Sequence, residues 1–354
     1  MKGTFYSRFL LVSFITLIIL LINNSQAYSQ DEKQYKAGVI AFYNLENLFD
    51  TIDAENVIDE EYLPGSKKNW DTEKYNKKLD KLAEVISQIG NDLTKEPPAV
   101  LGISEVENIQ VVKDLVNTGK LKPYNYQVVH YDSPDRRGVD VALVYRPAYF
   151  KLTGSRSVRL TIAGMPDFYT RDQLVVSGEY DGEPMHFIVN HWPSRRGGEK
   201  RSRPLRNAAG DLTRSIADSI LATDANAKVI IMGDLNDDPV NPSLKDHLKA
   251  TDDESLLTQG YLYNAMMPLY KKGIGSLAYR DSWNLFDQMV LTPALVGEDK
   301  PGYRMHSARV FNKKFLEQKE GRFKGYPFRT FVGNNYMGGY SDHFPVYVIL
   351  VREL

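Results

Sequence analysis

The chain has 354 residues, with 44 basic and 45 acidic side chains, 25 glycines, 17 prolines and no cysteine. At 42% hydrophobic and 25% charged it is globular rather than disordered or fibrous. The missing cysteines exclude disulfide scaffolds, thiolate-bound zinc, iron–sulfur clusters and thiol catalysis, and a net charge of −1 excludes a uniformly basic surface but not a local basic face.

In chain order, Lys2 and Arg8 precede an apolar run from Phe9 to Ile22, followed by Asn23-Asn24-Ser25-Gln26-Ala27. Positive start, greasy middle and small end read as a secretory signal over residues 1–27, cleaved after Ala27 or two residues later. The alternative is an uncleaved anchor, although the run is short for a span of about 20 residues. The mature chain, 28–354, keeps 42 basic against 45 acidic residues, a balance of −3. It carries no second apolar span, so export to the periplasm or beyond the cell is expected.

Gly38–Tyr43 reads as a buried strand, short and rich in β-formers. Glu73 to Gly90 carries Leu79, Leu82, Ile86 and Ile89 at helical spacing, with lysines on the other face. Ala99–Ile103 is a second buried strand and Val111–Val116 a short helix. Strands follow at Tyr126–His130, Val139–Tyr145, Gln173–Ser177 and His186–Asn190. Ser202-Arg203-Pro204 predicts a helix start, with Leu205, Ala208, Leu212, Ile216 and Ile220 along one face. Val229–Met232 is another buried strand, and Val346–Val351 closes the chain. No repeat or low-complexity linker divides it, so one α/β domain rich in sheet is expected.

Polar residues recur where these strands end: Asn44-Leu45-Glu46, Ser104-Glu105, Asn190-His191, Gly233-Asp234-Leu235-Asn236, Asp287 and Ser341-Asp342-His343. Strand ends are where layered α/β proteins place their sites. Each residue alone is as well explained by a turn. In order, and joined by Ile103-Ser104-Glu105-Val106, Phe286-Asp287-Gln288 and Asp342-His343-Phe344-Pro345, they resemble the endonuclease/exonuclease/phosphatase superfamily, in its deoxyribonuclease I-like branch. The resemblance runs from Ala37 to Val351. It implies a four-layer sandwich of two packed mixed β-sheets flanked by helices.

The resemblance also implies roles. Glu105, Asn44 and Asp342 would hold a divalent cation, and such hard oxygen donors suit Mg²⁺, or Mn²⁺ or Ca²⁺. Glu46 stands where some relatives carry a second acid; as a turn residue it reads equally as an exposed carboxylate. His343 and Asp287 match the family's histidine–aspartate pair, Asp234 the residue that orients or deprotonates water, and Asn236 its companion. His191 would protonate the leaving oxygen, with Asp140 as candidate acidic partner. Arg171, in Thr170-Arg171-Asp172, matches an arginine of that branch.

Arg195, Arg196, Lys200, Arg201, Arg203 and Arg206 stand against one Glu directly after His191. The run reads as a solvated loop or as a grip on phosphates beside the site. Arg195 and Arg196, with Arg171, are the expected substrate contacts, and Trp192 and Tyr131 are candidates for stacking. The expectation is a secreted, metal-dependent monomeric endonuclease acting on DNA, or RNA too, with no obligate protein partner. Alternatives are hydrolysis of inositol phosphates or sphingomyelin, for which the basic-aromatic stretch from Phe323 to Tyr336 would be the membrane element, and a non-catalytic nucleic-acid-binding module.

Overall fold

The computed structural model describes residues 33–55 and 57–354; the segment 1–27 lies outside them. Lys36–Arg352 forms one compact unit. The described residues outside it are Lys33–Tyr35, Glu353 and Leu354, where the Leu354 N–H donates to the Gln34 carbonyl at 2.9 Å and Lys33 pairs with Glu353 at 3.0 Å.

The first strands are β1 (Tyr35–Leu48), β2 (Val100–Val106), β3 (Gln127–His130), β4 (Asp140–Tyr145), β5 (Phe150–Val158), β6 (Gln173–Tyr180), β7 (Glu183–His191) and β8 (Val229–Asp234). They are followed by β9 (Ala250–Thr251), β10 (Leu262–Asn264), β11 (Leu277–Tyr279), β12 (Ser282–Asn284) and β13 (Asp287–Leu291). Last come β14 (Arg304–Val310), β15 (Phe331–Val332), β16 (Asn335–Tyr336) and β17 (Val346–Glu353). Three longer helices are α1 (Thr72–Ile86), α2 (Ile109–Val116) and α3 (Glu199–Thr223). One sheet of six strands runs β14-β17-β1-β2-β4-β3, and one of seven runs β5-β6-β7-β8-β13-β10-β9. Both are mixed: β1–β2 and β7–β8 are parallel, β2–β4 and β8–β13 antiparallel.

The period of two in the strands builds the layers. Ile40 and Phe42 of β1 turn toward the other sheet and meet Leu143, Val189, Met232, Met289 and Val348. Val39, Ala41 and Tyr43, one residue out of phase, meet Leu79 and Leu82 of α1 and Val112 and Leu115 of α2. On the far face of the second sheet Ile188 and Ile231 pack with Ala209 and Ile216 of α3. Each such side chain contributes about 1.5–3 kcal/mol on leaving water. The sequence of layers is helix, sheet, sheet, helix, the sandwich expected from the sequence. At Gly102 the sheets meet so closely that a Cβ would lie 2.5 Å from the Met232 sulfur.

Several local expectations shift. α1 starts after Asp71, whose carboxylate accepts the Lys74 N–H at 2.9 Å, and ends at Ile86 rather than Gly90. Lys78, on the face expected to be wet, is buried with its ammonium donating to the Thr330 hydroxyl at 2.6 Å. α3 begins at Glu199 after Gly198, so Ser202 is not its cap: the Ser202 hydroxyl donates to the Gly198 carbonyl at 2.8 Å and Pro204 sits inside the helix. β5 was not expected, because an edge strand with exposed lysine, threonine and serine lacks an alternating apolar face. Among the described residues no helix is long and apolar enough to cross a membrane.

Candidate active site

Strand register assembles the site. In the β7–β8 pair His191 lies opposite Asp234, and in the β8–β13 pair Asp234 lies opposite Asp287. Three neighbouring strand ends therefore present an imidazole and two carboxylates side by side. Gly233 allows it, since a Cβ there would fall 2.2 Å from the Asn190 carbonyl oxygen.

The other sheet contributes through irregularity. Pairing of β1 with β2 runs to Asn44 and Ser104, slips, and resumes at Leu48 and Val106. Pairing of β2 with β4 slips between Ser104 and Val106. The residues in the slips adopt left-handed backbone: Glu46 at φ 51°, Asn47 at 55° and Glu105 at 60°. Each costs about 1–2 kcal/mol for a non-glycine residue. A bulge re-aims a side chain that the pleat would send elsewhere. Asn236, at φ 53°, shares the conformation.

Asp234 is the hub. Its Oδ2 accepts from Asn44 Nδ2 at 3.1 Å and lies 3.7 Å from His191 Nε2 and 3.9 Å from His343 Nε2. Its Oδ1 accepts the Asn236 N–H at 2.9 Å, and Asn236 Nδ2 donates to the Trp192 carbonyl at 3.0 Å. His343 Nδ1 lies 2.7 Å from Asp287 Oδ2, an oxygen that also accepts from the Ser276 hydroxyl. Ser341 bonds on both sides, its hydroxyl donating to the Asn44 carbonyl at 2.7 Å and accepting the His343 N–H at 3.1 Å.

Beside the hub lie three more carboxylates. Glu105 Oε2 accepts the Asn47 N–H at 2.9 Å, and its Oε1 faces His191 Nε2 at 3.8 Å. Asp342 pairs with Arg329 Nη2 at 2.8 Å. Arg329 Nε reaches Glu46 at 3.2 Å, and the Thr330 N–H caps the same carboxylate at 2.6 Å. Glu46 is thus buried rather than an exposed turn acid.

Electrostatics separates the three central groups. Burial, moderated by His343 and reinforced by Asp287, pushes the Asp234 carboxyl up to about 7. Burial disfavours charge on His343, yet Asp287, Asp234 and Asp342 outweigh it and hold the imidazolium well above the ordinary histidine range. His191 goes the other way: burial and the cations Arg171, Arg137 and His343 hold it well below that range. In the free protein it is neutral. Acting as the acid expected from the sequence therefore requires the negative charge of a bound phosphate to raise it.

Other expected residues take different partners. Asp140 bonds to His130 Nε2 at 2.9 Å and to the Ser133 N–H at 2.8 Å, so it is the partner of His130 and not of His191; Glu105 and Asp234 face His191 instead. Arg171 is buried, and its guanidinium donates to Asp135 and to the carbonyls of His191 and Trp192, which makes it a brace under His191 and not a surface grip. Arg195 is held by Asp237, Asp238, Asn241 and the Asn236 carbonyl, and Arg206 is fully buried against Asp237. Arg196 is exposed. Trp192 is buried, its indole N–H donating to Asn190, so it cannot stack on a ligand; Tyr131 is 40% exposed.

The sequence pattern passed over Arg329, Ser276 and Thr330. Only Arg329 left a signal, as a cation in the basic-aromatic stretch before Asp342.

For a divalent cation the donors of Asn44, Glu105 and Asp342 are all hard oxygens. Glu105 Oε1 and Asp342 Oδ1 accept no hydrogen bond among the described residues, with a histidine nitrogen at 3.8 and 4.0 Å respectively, so both oxygens are open to such an ion. Asn44 orients Asp234 in this arrangement, its Oδ1 accepting the Glu46 N–H at 2.9 Å. A separate group, His130, Asp132 and Asp140, brings ligand atoms within 4.8 Å of one another.

Three cavities share lining residues in series, two of them at Asp342. One of about 520 Å³ is lined by Arg137, Arg171, Arg196 and Arg201. It shares Arg196 with one of about 930 Å³ that reaches Arg280, Arg329 and Asp342. The third, about 310 Å³, shares those three residues.

No curated protein matches the sequence. Among solved structures, truncated TDP2 of Caenorhabditis elegans superposes with a TM-score of 0.54 at 14% identity, over 89% of this chain and 97% of that one. An endonuclease/exonuclease/phosphatase family protein of Bacteroides thetaiotaomicron gives 0.53 at 17%, over 91% and 98%. The mannosyl-6-phosphatase of B. thetaiotaomicron VPI-5482 gives 0.51 at 16%, over 88% and 99%. At these identities the likeness is one of fold. A family model described as endonuclease/exonuclease/phosphatase family matches residues 39–352, and the chain belongs to that family of phosphate-ester hydrolases.

Proposed function

We propose that the protein is an exported, divalent-metal-dependent phosphodiesterase that cleaves nucleic acid internally, DNA in the first instance. The observation that carries the polymeric substrate is the series of three cavities with shared lining residues, which Arg137, Arg196, Arg201 and Arg280 line between them. A chain of phosphates matches a track of cations better than a lone phosphate does. The retention of every principal residue around Asp234 argues against a merely binding role.

In this reading Asp234, poised near neutrality, takes the proton from the attacking water while Asn44 and the Asn236 N–H hold its carboxylate in place. His343, locked by Asp287 into donating from Nε2, offers a positive hydrogen bond to a phosphoryl oxygen. His191 stands ready at Nε2 to protonate the leaving oxygen once the phosphate is bound. Glu105, Asp342 and Asn44 would hold the cation, which when bound supplies charge neutralisation at the phosphoryl oxygens.

The test is a panel of supercoiled plasmid, RNA, sphingomyelin and inositol phosphates with the full chain, each with Mg²⁺ or with chelator. Plasmid nicking that chelator abolishes is expected. Turnover of lipid or inositol phosphate with intact plasmid overturns the nuclease reading, and chelator-resistant nicking overturns the metal. Recovery of the protein outside the cytoplasm with its amino terminus after Ala27 is the expected sign of export; recovery of the uncut chain in the cytoplasm refutes it.

A further inference from the structure

The cavity of about 310 Å³ lies between the β11–β12 hairpin and the segment 318–337, and neither Asp234 nor the histidines around it line it. Tyr279, Phe323, Tyr326 and Met337 wall it, and Arg329 and Asp342 form the end nearest the site. Large apolar side chains are normally withdrawn from water, yet Tyr279 is 62% exposed, Phe323 41% and Met337 38%. Apolar surface gathered at a cavity with a few convergent polar groups marks a ligand site.

The walls are set in advance. The tip residues Arg280 and Asp281 adopt left-handed backbone at φ 51° and 62°, as a tight two-residue hairpin requires. The Tyr326 hydroxyl donates to Asp281 Oδ1 at 2.7 Å and accepts its N–H at 2.8 Å, tying the far wall to that tip. Trp283 backs the hairpin, stacked on Phe344 with ring centroids 6.0 Å apart. Arg280 and Arg322 have no acidic partner among the described residues, and stand 5.2 Å from the Tyr279 ring and 5.7 Å from the Phe323 ring.

Fixed aromatic walls and the guanidinium groups of Arg280 and Arg322 select a flat ligand that carries negative charge. We propose that this cavity is a subsite for a planar aromatic ring joined to the phosphoester, stacked among Tyr279, Phe323 and Tyr326 with its phosphate toward the end at Asp342, where the cation would sit. The proposal rests on the phosphoester reading above and narrows it to ring-bearing phosphates. A nucleobase and a simple aryl group share this chemistry; a sugar or an acyl chain does not.

Titration calorimetry of the full chain with thymidine 5′-monophosphate, phenyl phosphate, ribose 5-phosphate and mannose 6-phosphate tests it. The two ring-bearing phosphates should bind roughly tenfold more tightly than the two sugar phosphates, the scale of one base stacked on an aromatic side chain. Tyr279→Ala with Phe323→Ala, both at exposed positions, should erase that margin. Equal affinity for phenyl phosphate and thymidylate means that the ring alone is read; tighter thymidylate means that base edges count, and both support the subsite. Four equal affinities, no binding by any probe, or a margin that survives the double substitution overturns it. Plasmid nicking by the same preparation keeps the readings apart. Nicking without a ring preference removes the subsite alone, and a ring preference without nicking removes the nuclease reading alone.

Discussion

At the scale of single residues, the decisive property is that neighbours of one chemical type hold opposite charge states. His343 and His191 both approach Asp234, yet one keeps its proton and the other lacks it. Separated titrations of this kind mark which group gives and which takes. Asp234 can accept a proton only as the anion, so kcat/KM should rise with pH through about 7, the value to which burial pushes it. Asp234→Asn should lower turnover by about 10²-fold and flatten that limb of the profile. A near-native rate would remove Asp234 from the proton path.

Glu107 offers a stability counterpart. Burial, with Asp50 and Asp59 nearby, pushes its carboxyl up to about 7. Its folded pKa thus exceeds its unfolded one, so its contribution is fully present below the unfolded value near 4.5 and is lost as pH rises through about 7. Glu107→Gln keeps an acceptor for the Asp50 N–H and removes that loss. Chemical denaturation should find the variant more stable than the parent at pH 8 and little changed at pH 4. The reverse order would contradict the burial account.

At the scale of elements, the site depends on where strands pair and where they slip. Gly233→Ala forces a Cβ into the Asn190 carbonyl and pries β7 from β8 where His191 and Asp234 are held. A loss of about 1–3 kcal/mol is expected, the usual cost of overpacking, with activity reduced more than stability. Thermal melts and turnover on the same samples check it. Elements are also where sequence legibility ends. Val229–Met232 and Gly38–Tyr43 were readable because buried strands are short apolar runs. The strand-end residues Asn44, Glu105, Asp234 and His343 were readable as an ordered set.

The slips that aim Glu46 and Glu105 were not readable, because a bulge is set by how two strands pair, and neither strand alone records it. The partner of Asp140 is hidden for the same reason: its position next to His130 follows from the β3–β4 register, which pairs His130 with Ala142. Arg171 and Arg195 looked like grips because charge is visible in a sequence and burial is not. Arg329 joins Glu46 to Asp342 across most of the chain, a partnership no spacing rule encodes.

At the scale of the whole molecule, a net charge of −1 conceals a division of labour among arginines. Arg171, Arg195 and Arg206 are neutralised internally by Asp135 and Asp237, so they stabilise the framework behind the site. Arg196 and Arg201 line open cavity without an acidic partner among the described residues. Substituting both with alanine should weaken DNA binding uniformly and reduce the log–log salt slope by about 1.5, since each phosphate contact contributes about 0.7–0.9. An unchanged slope in a filter-binding or anisotropy titration would place the polyanion elsewhere.

The partition of the site between two sheets bears on when activity can begin. Asn44 lies near the start of the described chain and His343 near its end, and Ser341 ties them through a hydrogen bond spanning 297 residues. β17, which follows His343 directly, lies beside β1 in the sheet. The two halves of the candidate site can therefore meet only after the segment from Asn44 to His343 has been made and β17 has paired with β1. Under the nuclease reading proposed above, strand order alone would keep a partly made chain from cutting the nucleic acid around it.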